Sequence, residues 1–175
     1  MWRHSSGASN ASTSWYLRQA CRSGPRSTGQ KLARVIEVNL LAVHRCCSAA
    51  EKLLSAGGGS IVLIASMYSF FGSATSPAYA ASKGGIVQLT KSLSQAYAAH
   101  GVRVNAIAPG WINTPLLDMT KEVAPEMYAG LLDRIPMDRF GEPVEIGRTV
   151  AFLSGDDASY ITGAIIPVDG GYATV

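Results

Sequence analysis

Apolar residues along this chain fall into blocks of two kinds, one repeating every three or four residues and one nearly continuous. From Lys31 to Ala56, the residues Leu32, Val35, Ile36, Leu40, Val43, Cys47, Ala50 and Leu54 keep helical spacing, which predicts one long amphipathic helix. Gly57, Gly58 and Gly59 end it. Ser60 to Ser66 is a short, almost unbroken apolar run, the pattern of a parallel strand covered on both faces. A loop with Gly72 and Pro77 leads into a second helix, Pro77 to Ala99, with Gly101 beyond its end. Val102 to Ala108 reads as a second strand, stopped by Pro109 and Gly110.

Pro115, Pro125 and Pro136 divide residues 111–140 into short helices and loops. Gly141-Glu142-Pro143 opens a further helix, with Glu145 in its first turn and Val144, Ile146, Val150, Ala151 and Leu153 along it. Ala164 to Val168 is the last strand, and Pro167 places it at a sheet edge because proline cannot donate to a ladder. Strands alternating with helices require crossover connections and a parallel α/β sheet.

Residues 1–30 differ in texture: rich in Ser, Arg, Gly and Thr, with no sustained apolar period, they read as a disordered leader before an ordered domain at 31–175. Charge sharpens the division. Residues 1–36 hold Arg3, Arg18, Arg22, Arg26, Lys31 and Arg34 and no acid; the other nine basic residues face all twelve acids, so the net +3 belongs to the leader. The ordered part is mildly acidic and offers no nucleic-acid footprint. A basic, acid-free leader also has the composition of a mitochondrial transit peptide, or of a sequence joined to a truncated product. Without that targeting, the expectation is a cytoplasmic protein. No apolar run reaches the length of a membrane span, and three cysteines, Cys46 and Cys47 adjacent, make no disulfide framework. His44 and His100 lack partners at metal or triad spacing, so both read as structural and no metal is expected.

The chemistry concentrates between Ser66 and Lys83. Tyr79 and Lys83, four apart on a helix, lie on one face. An ammonium that close stabilises a phenolate and lowers the tyrosine pKa from about 10, suiting it to exchange protons at working pH. Ser66 closes a strand, and the carboxyl ends of parallel strands are where such sheets place ligands.

Ser66, Tyr79 and Lys83, thirteen residues and then four apart, resemble the catalytic constellation of the short-chain dehydrogenase/reductase family. The resemblance runs from about Arg34 to Gly171 and includes Asn39 in Val38-Asn39-Leu40, Pro109-Gly110-Trp111-Ile112-Asn113-Thr114 after the second strand, and Asp169-Gly170-Gly171-Tyr172. It implies a Rossmann-like parallel sheet and hydride transfer between NAD or NADP and a small alcohol or ketone. Tyr79 is then acid/base, Ser66 orients the substrate oxygen, Lys83 grips the nicotinamide ribose, and Asn39 holds a water in a proton relay. Pro109, Gly110, Ile112 and Thr114 join Tyr79 and Lys83 in contacting the cofactor. Trp111, Leu116, Leu117 and Met119 fall in the family's variable substrate loop; with Met67, Tyr68, Phe70 and Phe71 they line an apolar pocket or pad the core. Ser69 stands where many relatives have glycine.

The family's Thr-Gly-x-x-x-Gly-x-Gly turn, which meets the pyrophosphate, occurs nowhere in the 175 residues. The expectation is therefore a domain truncated to its C-terminal strands and helices, short of about three βα units of about 30 residues each. An alternative to the enzyme follows: an inactive truncated paralogue that joins full-length subunits, as a homo- or hetero-oligomer through helices 31–56 and 77–99, which pack across the family's dimer interface.

Overall fold

The computed structural model describes residues 28–54 and 58–174. Residues 1–27, and with them the disordered leader expected there, lie outside the described residues, as do residues 55–57 of the glycine turn.

The architecture is α/β, as the alternation of periods requires. Helix α1 (Thr28–Ile36) runs into a π-helical turn, Glu37–Leu41, and on into α2 (Ala42–Leu54). Strand β1 (Gly59–Ile64), a 3-10 turn at Met67–Ser69, helix α3 (Pro77–Ala98) and strand β2 (Val102–Pro109) follow. Two short helices, α4 (Pro115–Val123) and α5 (Pro125–Leu132), precede α6 (Pro143–Ser154) and strand β3 (Ile165–Val168). Pro115, Pro125 and Pro143 each sit in the first turn of their helix, where a missing N–H does no harm.

The three described strands form one parallel sheet in the order β1-β2-β3, with Ile64 opposite Ile107 and Ala108 opposite Pro167. Pro167 thus lies on an edge strand, as expected. β2 is the central strand. Val102, Val104, Ala106 and Ala108 enter one buried cluster with Ile86, Leu93 and Tyr97 of α3. Ile107 faces the other way, against Leu153 and Ala158. Helices α1–α3 therefore cover one face and α6 the other.

Two expectations need correction. The first helix is not one regular helix: the amide of Ala42 donates to Glu37 O, five residues back, and this wide turn shifts the residues after it around the axis. Leu32, near the start of the helix, is 44% exposed, while Val35 before the turn and Cys47 after it are both buried. Second, β1 is covered less fully than its apolar run implies, although Ile61 packs against one cluster and Val62 against the other. Only Leu63 is fully buried and Ile64 is 47% exposed, because β1 has a strand neighbour on one side only among the described residues. Of the apolar residues along α6, Leu153 is buried while Val144 and Ala151 are exposed.

α1 and α3 pack directly on each other. A Cβ at Gly85 would stand 2.7 Å from Leu40 Cδ2, so the absent side chain is what admits the helix carrying Asn39.

Candidate active site

Ser66 ends the β1 run just past the strand, its extended backbone (φ −166°, ψ 164°) capping the Met67–Ser69 turn. Its hydroxyl accepts from the Tyr68 amide (3.3 Å), and its own amide donates to Ser69 Oγ (3.1 Å). Ser69 Oγ in turn donates to the Lys83 carbonyl at 2.8 Å, tying the serine turn to the helix that carries Tyr79 and Lys83. Ser69, noted in the sequence only as a departure from glycine, is thus a clamp between the two halves of the site.

Tyr79 is half-buried, its ring edge-on to Tyr68 (centroids 6.2 Å apart, 86° between planes). The Lys83 ammonium lies 5.6 Å from the centre of the Tyr79 ring. It also donates to the backbone carbonyl of Ile64 at 2.7 Å. That carbonyl is available for a stated reason. Gly59 and Ala65 donate to Gly101 O and Ile107 O across the β1–β2 ladder, so Ser60, Val62 and Ile64 turn their backbone groups to the open edge. Burial brings Lys83 down from the usual lysine range to about 8. The sequence could not offer the Ile64 carbonyl as a partner, since only strand pairing decides which carbonyls are free.

Asn39 sits within the π turn, a local form that recurs at functional sites. Its Nδ2 donates to Ser82 Oγ (3.2 Å), and Ser82 Oγ donates to the Tyr79 carbonyl (2.7 Å). Ser82 is fully buried, so Asn39 is fixed to the turn of α3 lying between Tyr79 and Lys83.

Pro109 and Gly110 leave β2 beside the end of β1, so this segment and Ser66 share the carboxyl edge of the sheet. Gly110 donates to Val168 O, and a Cβ there would meet the Asp169 backbone at 2.7 Å. The next residues are pinned from the other side. Asn113 N–H donates to Gly141 O (2.7 Å), Gly141 N–H to Trp111 O (2.9 Å), and Asn113 Nδ2 to Glu142 Oε1 (2.5 Å). Glu142 is in turn fixed where Glu145, paired with Arg139, accepts its amide. Gly141 and Glu142 were read only as a helix start, yet they hold the loop of Ile112 and Thr114 in place. Thr114 begins α4 without its side chain capping the helix.

The apolar residues around the site divide between two roles. Met67 and Leu117 are buried in the core, Phe70 and Met119 are exposed, and the side chain of Leu116 is outside the described residues. Tyr68 and Phe71 line an open cavity of about 420 Å³ with Gly72, Ser73 and Pro77. Among the described residues no cluster of His, Cys, Asp and Glu could hold a metal, and His100 lies 3.7 Å from Glu51. No described helix is long and apolar enough to cross a membrane.

Comparison with known proteins finds relatives that share this fold. The family model described as enoyl-(acyl carrier protein) reductase matches residues 19–173. The cis-4-hydroxycyclohexanecarboxylate dehydrogenase of Sinomonas cyclohexanicum is 42% identical over 143 residues, 81% of this chain and 56% of that protein. The 3-oxoacyl-[acyl-carrier-protein] reductase FabG of Thermotoga maritima is 39% identical over 138 residues, 78% of this chain and 55% of its own length. A crystal structure provisionally named a 2-deoxy-d-gluconate 3-dehydrogenase, from Agrobacterium tumefaciens with NADP bound, superposes with a TM-score of 0.81 at 38% identity, covering 86% of this chain and 61% of that one. The chain spans just over half the length of the two sequence relatives.

Proposed function

The chain belongs to the short-chain dehydrogenase/reductase family, and from that premise we propose that its site performs NAD(P)-dependent hydride transfer between a secondary alcohol and a ketone. One observation carries the reading: the Ser66 turn, Tyr79 and Lys83 are linked through Ser69 and Tyr68 at the carboxyl edge of a parallel sheet. Residues suited to the nicotinamide end of a cofactor are present. They are the Lys83 ammonium, the Thr114 hydroxyl free of its helix cap, and the Pro109-Gly110 and Ile112 backbone beside them. A bound nicotinamide would take a hydride from the carbinol carbon, or return one to the ketone.

The chain's own residues handle the proton. In oxidation the Tyr79 phenolate takes the hydroxyl proton as the carbinol hydrogen leaves with its bonding electrons; in reduction the phenol gives the proton back. Ser66 holds the substrate oxygen toward Tyr79, and the Lys83 ammonium steadies the phenolate. Asn39, tied to α3 through Ser82, holds the water that passes the proton outward.

The test is NADH and NADPH binding by the purified chain, followed by turnover with a panel of secondary alcohols. Tyr79→Phe is expected to lose a hundredfold or more of the rate, in the range typical of a general acid/base, while still binding cofactor. Turnover that survives Tyr79→Phe refutes the assignment.

A second reading has its own support. β1 presents one unpaired edge among the described residues, next to an apolar groove lined by Val38, Val43, Cys47, Ile61 and Leu63. A chain without activity of its own could join full-length subunits of the family by this edge and by the free faces of α1–α2 and α3. Co-purification with such a subunit favours it, and a stable monomer counts against it.

A further inference from the structure

Arg134 follows α5 in a segment that cannot move far. Met137 N–H donates to Gly170 O at 3.1 Å, and a Cβ on Gly170, at φ +63°, would stand 2.8 Å from Ile135 Cγ2. The residues just after Arg134 are therefore held against the Asp169–Tyr172 turn, while Arg134 itself is exposed. Its guanidinium lies over the ring of buried Tyr172, 4.5 Å from the centroid. From Tyr172 a row of rings leads to the catalytic tyrosine: 6.1 Å to Phe71, 6.0 Å from Phe71 to Tyr68, and 6.2 Å from Tyr68 to Tyr79.

Stacking uses the flat face of a guanidinium and leaves its in-plane N–H groups for an acceptor. Among the described residues Arg134 takes part in none of the ion pairs, which join Arg45 to Glu37, His100 to Glu51 and Arg139 to Glu145. The nearby carboxylate of Asp169 is occupied by the amides of Gly171 and Ala173. The positive charge of Arg134 is felt at the Tyr68 hydroxyl, where it opposes the upward push of burial. An exposed cation outside the described ion pairs thus stands at the far end of an aromatic row that begins at Tyr79.

We propose that Arg134 anchors a carboxylate on the substrate, which makes the substrate class hydroxy and oxo carboxylic acids whose apolar body lies along Tyr68 and Phe71, which line the open cavity. A planar carboxylate matches the paired donors of the guanidinium edge. This assignment rests on the oxidoreductase reading of the Tyr79 site, but its test can be separated from that reading.

Cyclohexanecarboxylate and its neutral counterpart cyclohexylmethanol serve as probes, since neither needs to react. Binding to the full chain is followed by ligand-observed NMR and by the Arg134 Nε–H resonance. The acid is expected to bind at least tenfold tighter than the alcohol and to shift that resonance. Arg134→Met, which keeps an apolar stem over Tyr172, should abolish the preference, and Arg134→Lys should keep part of it. A preference unchanged in Arg134→Met, in a variant whose thermal midpoint matches the parent, overturns the proposal. So does acid binding that leaves the Arg134 resonance unmoved. If Arg134-dependent binding holds while no NAD(P)H turnover is found, the anchor stands and the oxidoreductase reading falls. If Tyr79-dependent turnover is found but Arg134→Met changes the KM of acid and neutral substrates alike, the anchor falls alone.

Discussion

Asn105 is the polar side chain on which the C-terminal half of the site depends most. It is fully buried at the centre of β2. Its Nδ2 donates to Ile161 O at 2.8 Å, and its Oδ1 accepts from Ala164 N–H at 3.0 Å. These two bonds fold the 161–164 loop against β2 and so bring β3 alongside, and with it the Asp169 turn beneath Gly110. Asn105→Leu keeps the branched shape but leaves one backbone donor and one acceptor, both in half-buried residues, without partners. Half-burial holds each such orphan toward the low end of about 1–3 kcal/mol, so the expected loss is about 2–4 kcal/mol. That is a large share of the 5–15 kcal/mol typical of a whole domain.

Urea unfolding followed by far-UV circular dichroism measures the loss as a fall in midpoint at constant slope. Ser60→Ala provides the contrast. It removes one half-buried bond to Leu153 O, 3.1 Å long, and should cost about 1 kcal/mol or less. If Asn105→Leu unfolds at the parent's midpoint, or no lower than Ser60→Ala, the reasoning from buried unsatisfied groups fails here.

Gly110→Ala places a Cβ 2.7 Å from Asp169 Cα and should destabilise by about 1–3 kcal/mol, read as a drop in thermal midpoint. Lys83→Met removes a buried ammonium held down at about 8. Between pH 8 and about 10.5 the unfolded chain binds more protons at this lysine than the folded one, so the parent should gain about 3 kcal/mol relative to the variant across that window. A flat difference refutes the assignment of Lys83 as desolvated. Glu145 is held down at about 2 by Arg139 and the Glu142 amide. Its contribution is present above pH 4.5 and lost as pH falls toward 2, so Glu145→Gln should flatten that part of the acid-unfolding profile. Asn113→Ala unpins the Ile112–Thr114 loop from Glu142 and should weaken nicotinamide cofactor binding several-fold in a fluorescence titration, with little change in thermal midpoint.

Much of this was legible along the chain because its determinants are local. Apolar spacing gave the helices, β-branched runs gave the strands, and the proline positions gave the short helices between 115 and 132. Ser66, Tyr79 and Lys83 were readable because a helical turn and a strand end fix them within eighteen residues of one another. Asn39 was found through resemblance, but its tie to Ser82, 43 residues away, depends on the helix packing at Gly85.

The tertiary structure decided what depends on distant groups meeting. Periodicity does not foresee a π turn, since one extra residue is set by what the helix must face, not by its own composition. The covering of β1 was overestimated because an apolar run records the preference of a strand for burial, not the presence of a neighbour at its edge. The same fact gives Lys83 the Ile64 carbonyl, as only ladder pairing shows which backbone groups remain unbonded. Nothing local marks Arg134; its place over Tyr172, and three ring contacts spanning sequence separations from 3 to 101 residues, connect it to Tyr79. The sequence determined which groups can do proton chemistry, and the fold determined which of them share an edge, a charge or a ligand.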